Sequence, residues 1–443
     1  MKGLWWSPHD YHGWPDLLAD HGFNFLMLCY TFSPRTALHW RGPFKASDRR
    51  HLRALAAASR ARGVDLCLAI HPFIGAHGWD PRSAGLTLHP TARRDWFAHY
   101  WRLRRPGLAP ADPGLRYGVA EDVDLLAAKI AQACRWGVTS VALCLDDIDP
   151  EAVPLGFDGL AEAQLWLVQR LRDRLTRLSA QVRLLLVPTY YWTDGIVAHP
   201  EYAAALAAGL PLEVDLFWTG RVVRQHDISA PDAIEATALL GRTPVVWLNY
   251  SSNDSFRFLP QLPPDRPPPA SLGGACRGLL VNVMRQQSLA RMDAFALGAY
   301  LRDPAGYNHE SALERAALQL VGTGAADLLL RFMRAWLRYP DPRTLPRVLA
   351  DGGEDAALSL RETTTALHAE TRSLHSELTA ALGANAVVRD LGRGVRRLGL
   401  LARALKIRCA PGDDLLRERF ERLLATTPEE QAADAQAVLS GMR

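Results

Sequence analysis

Three carboxylates follow directly after an apolar run in the first half of the chain. The run from Ser140 to Leu145 is succeeded by Asp146, Asp147 and, two residues further on, Asp149. Such a run is typical of a parallel strand covered on both faces, and the carboxyl ends of these strands carry the chemistry of α/β enzymes. Because side chains alternate along a strand, the two adjacent acids would face different surroundings and have different pKa values. The pair could thus act as an acid beside an anion, although a loop or a helix start also favours aspartate.

Short apolar runs separated by helical segments supply the elements that would position these acids. The helical segments include Asp48 to Arg62, Ala120 to Trp136 and Ala161 to Leu178. We predict about eight strands, at Leu4 to Trp6, Phe25 to Cys29, Leu66 to Ile70, Val141 to Leu145, Val182 to Val187, Val214 to Trp218, Val245 to Leu248 and Leu279 to Val283. This alternation predicts a (β/α)8 TIM barrel. A doubly wound sheet is the alternative fold, but no Gly-x-Gly-x-x-Gly follows the first strand.

The strand pattern ends well before the carboxyl terminus of the chain. We predict a barrel over residues 1–305 and a C-terminal α-helical domain over residues 306–443. Within the barrel, residues 77–112 are an aromatic and arginine-rich insertion, either a lid or an amphipathic helix packed on the barrel, and Pro260 to Pro269 is an extended loop. The segment from Val388 to Arg408 is an apolar helix with many basic residues. A solvated basic face is the favoured interpretation, and an acidic partner or phosphate is the alternative.

Composition argues against several classes of function. The formal net charge of +4 over 443 residues does not favour nucleic acid or a membrane as a partner. The six cysteines include no Cys-x-x-Cys pair, and Cys29, Cys67 and Cys144 lie in apolar runs, as free thiols in a reducing compartment do. The sequence shows no secretory signal and no membrane span, so we expect a cytoplasmic protein. A homodimer through the helical domain stays open.

Polar and aromatic residues also follow the later strands. In chain order they are Pro188-Thr189-Tyr190-Tyr191, Trp218-Thr219-Gly220, Trp247-Leu248-Asn249 with Asn253-Asp254, and Val281-Asn282. Aromatic faces beside Asp and Asn are typical of carbohydrate pockets, because sugars combine apolar C–H faces with directional hydroxyls. His71 and His77 are isolated and are interpreted as structural, since the histidines have no metal-ligand spacing. We predict neither a metal nor a cofactor, and no Gly-x-Ser-x-Gly elbow indicates a serine nucleophile.

Together these motifs resemble glycoside hydrolase family 84, the β-N-acetylglucosaminidases that include the O-GlcNAcases. The resemblance covers roughly Gly3 to Leu320. Its parts match in order and spacing: Ala142 to Asp149, Pro188 to Tyr191, Trp218 to Gly220, Trp247-x-Asn249-x-x-x-Asn253-Asp254, and Asn282. It implies a retaining β-N-acetylhexosaminidase acting on β-linked N-acetylglucosamine or a related 2-acetamido sugar, carried by a glycoprotein, an oligosaccharide or a glycosylated metabolite. In this family the substrate's own acetamido oxygen attacks the anomeric carbon and forms an oxazoline, so no protein nucleophile is required.

The resemblance also implies roles for individual residues. Asp146 would orient and polarise the acetamido N–H, and Asp147 would protonate the leaving oxygen and then activate water. The substrate-binding residues that it implies are Tyr191 and Asn249 for the acetamido group, Trp247 for its methyl group, and Asp254 and Asn282 for the remote sugar hydroxyls.

The chain departs from the family where the sugar 3-hydroxyl would bind. The family's lysine that contacts this hydroxyl falls on Thr31, its Glu-Gly-Phe-Tyr-Gly opening is replaced by Leu4 to Pro8, and its glutamate before Tyr191 is Tyr190. We therefore expect a 2-acetamido sugar modified at the 3-position, or an unusual aglycone. The alternatives are a degenerate barrel that binds a glycan or a protein without turnover, and a scaffold protein that works through the basic helix.

Overall fold

The structure of the protein is a computed structural model that describes most of the chain. The described residues are 6, 8–73, 114–146, 148, 156–225, 227–253, 261, 263, 267–339, 353–409, 414–427, 435–436 and 438–439. The predicted insertion at 77–112 lies outside them, as do Leu4 and Trp5 of the predicted first strand and part of the proline-rich segment.

Seven parallel strands form one sheet, and their order in space follows their order along the chain. The strands are β1 (Phe25–Leu28), β2 (Asp65–Ile70), β3 (Ser140–Cys144), β4 (Arg183–Val187), β5 (Asp215–Trp218), β6 (Val245–Asn249) and β7 (Gly278–Asn282). Each begins and ends within one residue of a predicted apolar run. The TIM-barrel prediction is confirmed, with seven described strands in a nearly closed barrel, surrounding helices and further helices towards the carboxyl terminus.

Helices alternate with these strands along the chain. They are α1 (Trp14–Asp20), α2 (Ala46–Ala61), α3 (Ala120–Cys134), α4 (Leu160–Arg177), α5 (Thr193–Ala198), α6 (Pro200–Gly209), α7 (Ala230–Leu240) and α8 (Gln287–Arg302), with short 3-10 turns at Pro8–Tyr11, Tyr30–Phe32, Pro34–Thr36 and Ala270–Gly274. Helix α7 shows how the sequence sets its ends. The Ser229 hydroxyl accepts the N–H of Asp232, whose carboxylate accepts the N–H of Ser229, and Gly241 ends the helix at a φ of 65°. Such caps satisfy the backbone groups that a helix end leaves open.

One face of each strand builds the interior of the barrel. The residues that pack together there, the interior cluster, are Met27, Cys29, Tyr30, Ala37, Leu38, Cys67, Ala69, Ala142, Cys144, Leu185, Val187, Tyr191, Phe217, Val245 and Trp247. On β2 and β3 the inward residues are small, whereas β5 and β6 contribute the rings of Phe217 and Trp247, which meet edge to face at a centroid distance of 5.3 Å. Small and large inward residues thus fill the barrel as a packed core.

The chain divides into two compact units. The first consists of Met1–Tyr250, Pro264–Asn282 and Gly298–Ala305, and the second of Ser251–Pro263, Val283–Leu297 and Gly306–Arg443. The later helices of the second unit are α9 (His309–Val321), α10 (Ala326–Trp336), α11 (Gly353–Leu382), α12 (Ala386–Arg408) and α13 (Asp414–Thr426). The domain bounds 1–305 and 306–443 stay a prediction, since the second unit also includes shorter segments that precede residue 306.

Helix α12 is the predicted basic helix. Its apolar residues are buried, among them Leu391, Leu398, Leu401 and Leu405. The cations that face solvent are Arg389, Arg393, Arg396, Arg403 and Lys406. Arg397, by contrast, is only 2% exposed. The solvated face therefore includes most of these cations but not Arg397.

Within the described residues, no single helix is long and apolar enough to cross a membrane. Helices α9 and α10 are long and apolar enough only when they are taken together, and they are bent by 120° relative to each other.

Candidate active site

Polar side chains occupy the inward positions just beyond the apolar ones of the strands. On β3, Ala142 and Cys144 belong to the interior cluster, and Asp146 is the next residue on the same face because side chains alternate along a strand. The same step of two residues leads to His71 after β2, Asn249 on β6 and Asn282 on β7. The carboxyl end of the barrel therefore carries a set of polar side chains, which we call the polar ring.

Asp146 lies against the histidine that follows β2. It is 7% exposed, and its Oδ1 lies 3.8 Å from Nε2 of His71. Its backbone carbonyl is closer, at 2.7 Å from the same nitrogen. Since a carbonyl oxygen can only accept, this contact assigns the proton of His71 to Nε2. His71 is fully buried, and the ring of Tyr30 meets its ring edge to face at 5.2 Å.

Asn249 and Asn282 are register partners on adjacent strands. Nδ2 of Asn282 donates to Oδ1 of Asn249 at 2.8 Å, and Nε1 of Trp247 donates to the same oxygen at 3.2 Å. Nδ2 of Asn249 donates to the carbonyl of Val223 at 2.6 Å. These bonds engage both acceptor positions of Asn249 and one of its two amide protons, so one N–H remains to donate to a ligand.

The loop that presents Val223 begins at a glycine. Gly220 has a φ of 109°, and a Cβ there would lie 2.7 Å from Oε1 of Gln225. That same oxygen accepts the N–H of Arg221 at 2.6 Å. Arg221 also forms an ion pair with Glu235 at 2.5 Å. The loop therefore needs glycine at this position, and its own bonds hold the carbonyl of Val223 beside Asn249.

Asn282 offers an acceptor at the same place. It is 4% exposed, and among the described residues its Oδ1 has no hydrogen-bond partner. Leaving a buried polar atom unpaired costs about 1–3 kcal/mol, a cost that a ligand donor would remove. The amide pair thus presents one donor, from Asn249, and one acceptor, from Asn282. A ligand that carries both a carbonyl oxygen and a hydroxyl group complements that arrangement.

Aromatic rings lie beside the polar ring. Tyr191 is part of the interior cluster, and the ring of Trp192 meets its ring edge to face at 5.2 Å. The carbonyl of Tyr191 accepts the N–H of Thr219 at 2.9 Å, which ties the segment after β4 to the end of β5. Trp247 is also in this cluster, so two aromatic side chains of the predicted site are held within the barrel interior.

A family model described as NAGidase, beta-N-acetylglucosaminidase, matches residues 3–334. The match covers more than half of the 443-residue chain. The chain belongs to the beta-N-acetylglucosaminidase family. This is the glycoside hydrolase family that the sequence motifs resemble.

Curated relatives and solved structures agree with this family. The Protein O-GlcNAcase of Rattus norvegicus is 26% identical over 170 residues, which are 37% of this chain and 18% of that protein. The Mus musculus Protein O-GlcNAcase is 26% identical over 172 residues, with the same coverage. The chain therefore matches less than a fifth of the length of these relatives. A mutant of the Thermobaculum terrenum O-GlcNAc hydrolase shares the fold, with a TM-score of 0.66 at 18% identity over 98% of this chain and 91% of that chain.

The structure brings together several of the residues that the resemblance to the beta-N-acetylglucosaminidase family singles out. Those at the carboxyl end of the barrel are Asp146, Tyr191, Trp247, Asn249 and Asn282. Asp147 and Asp254 lie outside the described residues, and so does the side chain of Thr31, whose backbone belongs to the turn Tyr30–Phe32. The ring of Tyr190 stacks on His199 at 3.8 Å, so an aromatic contact occupies the position of the family's glutamate. The roles of all these residues stay predictions.

From its sequence position His71 is interpreted as an isolated structural histidine, and that interpretation does not place it beside Asp146. The signal was available, because His71 follows Cys67 and Ala69 at steps of two residues on the strand beside β3. What the sequence could not show is the bond from its ring to the carbonyl of Asp146.

Proposed function

We propose that the protein is a retaining β-N-acetylhexosaminidase that hydrolyses β-linked N-acetylglucosamine or a related 2-acetamido sugar. The observation that carries this proposal is the buried Asp146 on the inward face at the end of β3, in a barrel of the beta-N-acetylglucosaminidase family. In this reaction the acetamido oxygen of the substrate is the nucleophile, and an oxazoline intermediate leads to retention of configuration. The reaction needs no metal, and within the described residues no group of three or more His, Cys, Asp or Glu is arranged to hold one.

The two adjacent aspartates have different tasks in this mechanism. Asp146 accepts the acetamido N–H, which raises the electron density on the acetamido oxygen and orients it towards the anomeric carbon. Asp147 gives its proton to the leaving oxygen and later takes a proton from the water that opens the oxazoline. The alternation of side chains supports this division, because Asp146 continues the inward face of β3 while Asp147 is one residue out of step.

The polar ring and its aromatic neighbours bind the sugar in this proposal. The remaining N–H of Asn249 donates to the acetamido group, with Tyr191 as a second contact, and Trp247 lines the methyl group. Oδ1 of Asn282 accepts a hydrogen bond from a remote sugar hydroxyl, and Asp254 accepts another. The bonds from Trp247 and Asn282 to Asn249 support this assignment, since they fix the amide in one orientation.

Within this proposal a 2-acetamido sugar modified at the 3-position, or an unusual aglycone, is favoured over plain N-acetylglucosamine. Thr31 stands where the family has a lysine for the 3-hydroxyl, and Tyr190 replaces a glutamate. A 2-acetamido sugar substituted at the 3-position fits the shorter threonine. The aglycone is a glycoprotein, an oligosaccharide or a metabolite, and the relatives named O-GlcNAcase and O-GlcNAc hydrolase make a modified protein one candidate. Free cysteines support a reducing, cytoplasmic location.

A screen of aryl glycosides of several N-acetylated sugars tests the proposal. We expect turnover of at least one 2-acetamido substrate, with retained configuration in the product. Asp147→Asn tests the acid role in the same screen. It should lose activity severely against a poor leaving group and much less against an activated aryl leaving group, because only a basic leaving oxygen needs the proton. Equal loss for the two leaving groups would contradict the acid role. Binding of a sugar without turnover of any would instead support a degenerate binding barrel.

A further inference from the structure

We propose that His71 and Thr189 are positioning residues that together fix the backbone on both sides of Asp146. The inference rests on the proposed function, in which Asp146 must face the acetamido N–H. The ladder between β3 and β4 ends close to this point, where the N–H of Leu145 donates to the carbonyl of Val187 at 2.9 Å. Beyond that bond, the backbone carbonyls of Leu145 and Asp146 accept hydrogen bonds from side chains that follow β4 and β2.

Thr189 holds the carbonyl that precedes Asp146. Its hydroxyl lies 2.8 Å from the carbonyl oxygen of Leu145. A buried, cyclic hydrogen-bond network sets the direction of this hydroxyl. The N–H of Thr189 donates to the hydroxyl of Tyr202 at 3.1 Å, and that hydroxyl donates to Oε1 of Gln164 at 2.5 Å. Nε2 of Gln164 then donates to the Thr189 oxygen at 2.7 Å. The Thr189 oxygen accepts the Gln164 proton, so its own single proton is left to donate to the carbonyl of Leu145, which can only accept.

His71 holds the carbonyl of Asp146 itself. Its Nε2–H donates to that oxygen at 2.7 Å, and the ring is fully buried against Tyr30. The backbone N–H of His71 donates to the carbonyl of Thr36 at 2.9 Å, which anchors the segment that carries the imidazole. The histidine therefore cannot turn away without breaking bonds that are buried and costly to leave unmade.

The two contacts together determine the direction of the Asp146 side chain. A peptide group is planar, so a fixed carbonyl fixes the whole peptide plane. Thr189 fixes the plane before Asp146 and His71 fixes the plane after it. Between two fixed planes the φ and ψ angles of Asp146 have little freedom, and its Cβ must point in one direction.

Paired substitutions test the inference on turnover of the best aryl 2-acetamido substrate. His71→Leu and Thr189→Val remove the donors, whereas His71→Gln and Thr189→Ser keep a donor at a comparable position. We expect kcat to fall at least tenfold in the first two, with KM changed less than threefold, since misplacing a catalytic group by about 1 Å costs up to about a hundredfold. His71→Gln and Thr189→Ser should recover most of that loss.

A matched control lies at the other end of the same strand. The hydroxyl of Thr139 donates to the carbonyl of Leu66 at 3.1 Å, the same kind of bond between β3 and β2. Thr139→Val should leave kcat within twofold of wild type. Equal losses in Thr139→Val and Thr189→Val, or full activity in His71→Leu, would overturn the inference.

Two further readouts separate this inference from the proposed function. Nitrogen-detected NMR of the histidines, assigned with His71→Leu, should show the Nε2–H tautomer at His71 whether or not a substrate is found, and an Nδ1–H tautomer would overturn the inference. In an active enzyme, His71→Gln should keep the pH profile of kcat, because the histidine is proposed to position and not to transfer a proton. Loss of one limb of that profile would assign a proton-transfer role to His71 and contradict positioning. Wild-type inactivity on every 2-acetamido glycoside would contradict the proposed function but not the positioning inference, which the tautomer still tests.

Discussion

Two buried aspartates lie at opposite ends of the same barrel. Asp215, the first residue of β5, accepts a charged hydrogen bond from Nε of Arg183 at 2.5 Å and forms a second ion pair with Arg277. Asp146, beyond the end of β3, is held through its backbone carbonyl by His71. Two guanidinium groups at the amino end neutralise a buried charge, which stabilises the barrel. The bonds at the carboxyl end position a carboxylate, as expected of the end where such barrels carry their chemistry.

The largest expected effect concerns Asp146. Asp146→Asn should lower kcat by about a hundred- to a thousandfold, the usual loss when one electrostatic contact to the transition state is removed. Because Asp146 is proposed to act on the acetamido group and not on the leaving oxygen, the loss should be alike for good and poor leaving groups. Thermal midpoints measured beside the kinetics should differ little from wild type. A variant that is as active as wild type would contradict a catalytic role for Asp146.

A second prediction sharpens the description of the carboxyl end. A hydrogen bond to a charged group is worth about 1.5–3 kcal/mol, or about ten- to a hundredfold in rate. Thr31→Lys should therefore improve turnover of a plain aryl N-acetylglucosaminide, and it should impair turnover of a sugar substituted at the 3-position. Catalytic efficiencies of both proteins on both substrate types check this. No change on either would show that Thr31 does not face the sugar.

At the amino end the same kind of change should affect folding only. Asp215→Asn leaves two arginines without their shared carboxylate, and we expect a loss of about 1.5–3 kcal/mol in the free energy of unfolding, the range for hydrogen bonds to charged groups. Both arginines are partly exposed, so water limits the loss. Denaturant unfolding measures this, and kcat of the folded enzyme should stay at the wild-type value. A drop in kcat without a drop in stability would show that Asp215 contributes to catalysis and not to folding.

A third buried acid, in the second unit, makes the stability of the chain depend on pH. Asp293 accepts a bond from the Ser251 hydroxyl, and burial raises its pKa to about 8. Between about pH 4 and about pH 8 the folded chain therefore binds a proton that the unfolded chain does not, so stability falls as the pH rises through this window. Asp293→Asn removes that titration. Its thermal midpoint relative to wild type should rise between pH 5 and pH 8, and an unchanged difference would show that Asp293 is ionised when folded.

The barrel could be predicted from the sequence because its causes are local. Apolar runs such as Val141 to Leu145 mark the strands, and alternation places Asp146 on the inward face. The same periodicity placed Asn249 and Asn282 at one rim. Their direct amide bond depends on the register between β6 and β7, which only the folded sheet determines.

The support around Asp146 could not be predicted for a different reason. Thr189, Gln164 and Tyr202 lie up to 38 residues apart, and their ring forms only when β4, α4 and α6 are packed together. His71 also looked like an isolated histidine, because its contact with Asp146 spans 75 residues of sequence. Hydrogen bonds between distant segments leave no periodic signal, so the positioning of a site is less visible in a sequence than its strands.

The central claim is that the carboxyl end of the barrel uses the acetamido group of the substrate as nucleophile. The most direct measurement compares the wild-type enzyme on an aryl 2-acetamido glycoside and on the glucoside with the same leaving group, with a thiazoline-fused sugar as inhibitor. The account predicts that only the acetamido substrate reacts and that the thiazoline, which resembles the bicyclic intermediate, binds tightly. Efficient cleavage of the plain glucoside would contradict it.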